Sequence, residues 1–170
     1  VAGIDGAHSM EFDTATEGAV ISELPEQKAI EGLGGTMRLG GQDVALRDGS
    51  LLCTLFDGST SVRERFRHRY EVEPAVIDTL EDAGLQFTGR HPEQPIMQGL
   101  ELPRSAHPYF VAGQFHPELT SRPLHPQPMF MGLMAAAVAR ANPGLDRGTI
   151  NDRWLPEATE PSEDPAGSLA

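Results

Sequence analysis

The sequence predicts an α/β layer structure, and two observations carry the prediction. Apolar extended segments at 85–89, 94–103 and 108–115 lie between two segments of helical periodicity, at 73–84 and 126–142. Turn formers punctuate the junctions, with 18 Gly and 14 Pro in the chain. Strands and helices interleaved in this way pack as layers around one core, and 170 residues are enough for one domain.

Taken in order, residues 1–24 show little periodicity, and "HSMEFD" (8–13) reads as a turn entering an extended segment. In "GLGGTMRLGGQDVALRDGSLLCTLF" (32–56), Met37 and Leu39 alternate, then Val44 and Leu46. Gly40-Gly41 and Asp48-Gly49 fall where turns are needed, so we expect strands joined by tight turns. "EPAVIDTLEDAG" (73–84) predicts a helix, with Pro74 in the first turn, Val76, Ile77 and Leu80 on one stripe, and Gly84 as its C-terminal cap. The run Tyr109–Ala112 is apolar on both faces, which predicts a central strand. In "PQPMFMGLMAAAVARAN" (126–142), Met129, Phe130, Leu133, Met134, Ala137 and Val138 recur at helical spacing until Pro143-Gly144. The acidic, Pro- and Gly-rich residues 143–170 read as a disordered tail, with Trp154-Leu155 as a stray apolar pair or a small docking spot.

Composition narrows the function. A net charge of −12 argues against nucleic acid, which requires a basic face. The single cysteine, Cys53, excludes an internal disulfide and a multi-cysteine zinc site and fits a reducing cytosol. No apolar run approaches the roughly 18 residues of a membrane span. The chain opens on Val1 without an initiator Met, and we expect a fragment or a processed piece, no signal peptide and a cytoplasmic setting.

The chemistry-bearing residues cluster at "QFHPELTSRP" (114–123). A histidine exchanges protons near neutral pH, and a carboxylate on its second nitrogen fixes the tautomer. His116 and Glu118, at a strand end, match that pattern; a loop histidine beside a solvated glutamate is the alternative. Arg63, Arg65, Arg67 and Arg69 share one face of an extended segment, as an anion-docking row or a solvated edge. Glu11, a single loop carboxylate, is unremarkable by itself. No His-x-x-x-His or Cys-x-x-Cys spacing marks a metal site. Cys53 lies in "SLLCTLF", where Leu51 and Leu55 replace the small flanks of a nucleophile elbow, so we expect a buried thiol. The chain thus offers a base and its orienter, without a nucleophile.

Five phrases carry a resemblance: "HSMEFD" (8–13), "LGGTMRLG" (33–40), "ERFRHRYEV" (64–72), "EDAGLQFTG" (81–89) and "HPYFVAGQFHPELTSRP" (107–123). Together, in this order, the chain resembles the C-terminal class I glutamine amidotransferase domain of the CTP synthase family over about residues 1–142. The resemblance implies a three-layer, flavodoxin-like α/β fold that is N-terminally incomplete. It implies that His116 is the catalytic histidine, that Glu118 orients it, and that Glu11 and Arg69 hold the substrate L-glutamine, a zwitterion with a charge for each. It places the family's nucleophilic Cys about twenty residues upstream of Glu11. The resemblance also implies an N-terminal synthetase domain binding UTP, ATP and magnesium, no cofactor in this portion, and a homo-oligomer, a tetramer, in the parent. Phe66 and Gln98 depart from the family's usual His and Glu. Two other readings are a truncated, non-catalytic pseudo-amidotransferase acting as an interaction or regulatory module, and a stand-alone γ-glutamyl hydrolase.

Overall fold

The computed structural model describes residues 2–23, 37–146, 148 and 150–156. In chain order its elements are β1 (His8–Ser9), β2 (Ala19–Ser22), β3 (Arg38–Leu46), α1 (Leu51–Leu55), β4 (Ser61–His68), β5 (Glu71–Val72), a 3-10 turn (Pro74–Val76), α2 (Ile77–Asp82), β6 (Gln86–Arg90), β7 (Met97–Glu101), β8 (Val111–Gly113), a second 3-10 turn (Pro117–Leu119) and α3 (Pro128–Ala141). The strands form a sheet of order β4-β3-β6-β7-β8 and a small one of order β1-β2-β5. All pairs in the larger sheet are antiparallel, and β1 with β2 is the parallel pair of the smaller.

Side-chain alternation explains the β3–β4 hairpin. Leu39, Gly41 and Asp43 stand opposite Arg67, Arg65 and Arg63, on one face. Arg38, Gly40, Gln42 and Val44 stand opposite His68, Phe66, Glu64 and Val62, on the other. Along β4 the arginine face is exposed, while Glu64 and Phe66 on the opposite face are buried. The expected turn at Gly40-Gly41 is absent: the pairing runs through both glycines without a shift, and Gly40 takes a positive φ within the strand. Leu39 lies five residues before Val44, so the pleat sends it to the opposite face, where it is exposed.

Residues 51–55 are helical rather than extended. Ser50 caps α1 by accepting from the Cys53 N–H at 3.0 Å. The first backbone N–H groups, of Leu51 and Leu52, donate to the two carboxylate oxygens of Glu101 on β7 at 2.8 and 3.0 Å. Thr88 donates to the same carboxylate at 3.0 Å, so this buried charge is held by three donors. α1 sits close against the sheet because Gly99 lies beneath it: a Cβ there would fall 2.7 Å from Leu52 Cδ2.

Three layers result. Val44, Leu52, Leu55, Phe66, Phe115 and Met129 form one core, on the α1 and α3 side. Ile77, Phe87 and Met97 form the second, on the α2 side. An apolar cavity of about 360 Å³, lined by Val20, Ile21 and Val72 of the small sheet and by Leu80, Phe87 and Leu100, lies between the sheets.

The helix at 73–84 is a 3-10 turn followed by α2, and Gly84 closes it with φ +95°. β8 is an edge strand of the described sheet, not a central one, and Ala112 is exposed; only one face of its apolar run is covered. In α3 the stripe is largely uncovered: Met129 is buried, but Phe130, Leu133, Met134 and Val138 are exposed. Trp154 and Leu155 are no stray pair. Leu155 is buried, Trp154 packs on the first core, and Arg153 donates to the Leu55 carbonyl at 3.0 Å. Residues 157–170 of the expected tail lie outside the described residues.

Candidate active site

β8 ends at Gly113, and the chain then turns across the end of the sheet. Gln114 N–H donates to the Gln98 carbonyl at 2.9 Å, which continues the pairing with β7. Phe115 is buried and packs edge-on against Phe66, with ring centroids 6.1 Å apart. Phe66 thereby belongs to the first core, with its ring also 5.6 Å from that of His68. His116 N–H then donates to the Arg65 carbonyl of β4 at 2.8 Å. The imidazole is thereby pinned at its backbone while its ring remains about one-third exposed.

Pro117 starts the second 3-10 turn, whose fixed φ folds the chain back at once. The turn brings the Glu118 carboxylate to 2.8 Å from His116 Nδ1. The hydrogen bond from His116 is the main cause that holds the Glu118 carboxyl below its ordinary range. Arg67 on the exposed face of β4 contributes in the same direction. A carboxylate only accepts, so Nδ1 carries the proton and Nε2 presents a lone pair. That is the tautomer of a general base.

Glu11 and Arg69 flank the small sheet. Met10 N–H donates to the Ile21 carbonyl, and Ile21 and Ser22 pair with Val72 and Glu71. Because β1 runs parallel to β2 and β5 antiparallel, Glu11 beyond β1 and Arg69 before β5 leave the sheet at the same end. Both are exposed. Gln114 Nε2 donates to the Tyr70 carbonyl at 3.1 Å, tying the Arg69–Tyr70 corner to the strand that delivers His116. None of the four residues lines the apolar cavity.

Behind Arg69 lies a polar cluster that the sequence did not single out. Glu71 is fully buried and accepts from Arg38 Nε at 2.7 Å, with His68 Nε2 at 2.8 Å from the same oxygen. Burial pushes the Glu71 carboxyl up, but the hydrogen bonds from His68 and Arg38 outweigh it and the net displacement is downward. The His-x-x-Glu spacing of His68 and Glu71 in "RHRYEV" was the available signal, but the other partner, Arg38, is 33 residues from Glu71.

Cys53 is 1% exposed in α1, and its thiol donates to the Ser59 carbonyl. Burial is the main cause that pushes this thiol up, away from the reactive thiolate. Of the arginine row, Arg63 pairs with Asp43 at 2.9 Å and donates to the Gly41 carbonyl, as on a solvated edge strand. Among the described residues, no three His, Cys, Asp or Glu side chains converge as metal ligands, and no helix is long and apolar enough to cross a membrane.

The layered fold and this strand-end site correspond to a defined class of protein. The sequence profile of the family "Glutamine amidotransferase class-I" matches residues 9–136, and the chain belongs to that family. Within it, the similar proteins are CTP synthases. The chain is 47% identical over 168 residues to CTP synthase of Nocardioides sp., covering 96% of this chain and 29% of that protein. It is 51% identical over 140 residues to that of Methanopyrus kandleri (82% and 26%), and 42% identical over 170 residues to that of Drosophila melanogaster (99% and 27%). The chain therefore spans less than a third of the length of these relatives. Among solved structures, the glutaminase domain of Trypanosoma brucei CTPS with bound acivicin superposes with a TM-score of 0.71 at 32% identity, covering 81% of this chain and 53% of that one.

Proposed function

We propose that these residues supply the histidine–carboxylate half and the glutamine-holding groups of a glutaminase site, within a CTP synthase that forms CTP from UTP, ATP and glutamine in the cytosol. The observation that carries this reading is the 2.8 Å bond between His116 Nδ1 and Glu118 on a turn pinned to β4. The nucleophile is a cysteine other than Cys53, supplied from outside the 170 residues.

The steps follow from the geometry. The nucleophilic thiol gives its proton to the His116 Nε2 lone pair, and the thiolate attacks the side-chain amide carbon of glutamine to form a tetrahedral adduct. His116 Nε2, holding a proton, gives it to the departing nitrogen as the C–N bond breaks, leaving a thioester and ammonia. The same nitrogen then takes a proton from water as the water oxygen attacks the thioester. The C–S bond then breaks, Nε2 returns its proton to the sulfur, and glutamate and the thiol are released. Glu118 stabilises the imidazolium whenever Nε2 holds the proton, that is, while each tetrahedral adduct stands. Glu11 takes the α-ammonium of glutamine and Arg69 its α-carboxylate, which sets the amide against the thiolate. ATP and magnesium belong to the synthetase portion of the parent, and no step is routed through them here.

The test is glutamate release from glutamine by the complete polypeptide as its gene encodes it. Glu11→Gln and Arg69→Met should raise KM for glutamine by more than tenfold, as expected for loss of a charge-assisted contact of roughly 1.5–3 kcal/mol. The isolated 170-residue chain should release glutamate at the background rate. A KM unchanged in both variants would sink the assignment of these two residues.

A further inference from the structure

Both ends of the turn that carries His116 and Glu118 are held by β4. The Arg65 carbonyl takes the His116 N–H at 2.8 Å at one end. At the other, Thr120 Oγ1 donates to Glu64 Oε2 at 3.0 Å. Glu64 is 5% exposed and stands on the buried face of β4, one residue before Arg65. Its second oxygen accepts from Gln127 Nε2 at 3.3 Å. Gln127 is the cap of α3, where its own Oε1 accepts from the Met129 N–H at 2.8 Å. One carboxylate thus joins the strand, the end of the turn and the start of the last helix.

We propose that Glu64 is a positioning residue for the glutaminase reaction: through Thr120 it sets the turn in which Glu118 meets His116. The proposal rests on the glutaminase reading above and deepens it. Glu64 acts at one remove, because its partners are a hydroxyl and an amide. The turn is short, so a change at Thr120 is passed directly to the peptide units of Pro117–Leu119. Local backbone hydrogen bonds close the turn, from the Leu119 N–H to the His116 carbonyl and from the Ser121 N–H to the Pro117 carbonyl at 3.0 Å each, but none of these sets it against β4. The Thr120 N–H reaches the Pro117 carbonyl at 3.2 Å, and the Thr120 hydroxyl, which lies 3.2 Å from that carbonyl, has a single proton to give. With that proton on Glu64, the side-chain tie runs to β4. Burial raises the Glu64 carboxyl despite these two hydrogen bonds; a protonated Glu64 can still meet Thr120, so the tie survives in either state.

The experiment uses the complete polypeptide and follows glutamate release from glutamine. His116→Ala is the reference. Thr120→Val keeps the shape and removes the hydroxyl; it should lower kcat about ten- to hundredfold, the scale of a small misplacement of a reacting group. KM for glutamine should stay within about twofold, because binding of the zwitterion is untouched. Glu64→Gln keeps an acceptor for Thr120 and should retain at least about a third of kcat, whereas Glu64→Ala should match Thr120→Val. The double variant Glu64→Ala/Thr120→Val should lose no more than the worse single change, since both break one tie. If Glu64→Ala does not fold, Thr120→Val and Glu64→Gln decide alone. Parental kcat in Thr120→Val beside an inactive His116→Ala would overturn the positioning role and leave the glutaminase reading intact. Additive losses, or a change confined to KM, would overturn it too. An active His116→Ala would overturn both.

Discussion

His116 and Glu118 meet through a 2.8 Å hydrogen bond across a single proline, and the carboxylate reaches Nδ1, leaving Nε2 for the substrate. Replacing the carboxylate by an amide lets the side chain donate to Nδ1, which moves the imidazole proton to Nε2 and removes the base. We expect Glu118→Gln to lower glutaminase kcat at least about 10²-fold while KM changes little, following the effect of the same exchange in other histidine–carboxylate pairs. Steady-state kinetics of the complete polypeptide check this.

Cys53 is a test of what the site is not. Burial shields the thiol and pushes it up, away from the reactive thiolate. The thiol should resist Ellman's reagent in the native protein at pH 7–8 and react fully once unfolded. Cys53→Ala should leave glutamate release by the complete polypeptide unaltered.

Two buried glutamates carry opposite pH signs. Glu71 has its folded value depressed, so its stabilisation is present above the ordinary glutamate value of about 4.3 and is lost as pH falls through the lower folded value. Glu71→Gln should therefore cost about 1–3 kcal/mol at neutral pH, and the cost should shrink in acid. Glu64 has its folded value raised, so its contribution is present below about 4.3 and is lost as pH rises through the folded value. Glu64→Gln should stabilise relative to the parent at pH 7, with the difference vanishing below about pH 4. Chemical denaturation at several pH values separates the two signs.

Packing makes a sharper demand at Gly99. A Cβ there would meet Leu52 Cδ2 at 2.7 Å and the Gly89 backbone at 3.3 Å. Gly99→Ala must displace the fully buried Leu52 side chain, and we expect a loss of about 1–3 kcal/mol. An urea midpoint unchanged by the substitution would contradict the close approach described here.

Much of this was legible in the chain. The strands at 85–89 and 94–103 announced themselves by apolar alternation and glycine punctuation, and Gly84 marked the end of α2. The His-Pro-Glu spacing was enough to suggest an oriented base. α1 was not read because "LLCTL" is too short and too uniformly apolar to show a period; Ser50 as its cap was the overlooked signal. The Gly40-Gly41 turn was wrong because a glycine pair fits a turn and a tolerated positive φ within a strand equally well. The pairing of Glu64 with Thr120 lies across 56 residues, and local pattern carries no trace of such a contact. The same holds for Trp154, whose docking depends on a core surface assembled from distant segments.

We propose that His116 serves the release of ammonia from glutamine and not the transfer of that ammonia to UTP. The direct measurement is CTP formation by His116→Ala in the complete polypeptide, with either glutamine or ammonium as the nitrogen source, at saturating ATP and UTP. Our account predicts that the glutamine-dependent rate falls to background while the ammonium-dependent rate stays close to that of the parent. A glutamine-dependent rate that survives, or an equal loss with both nitrogen sources, would contradict it.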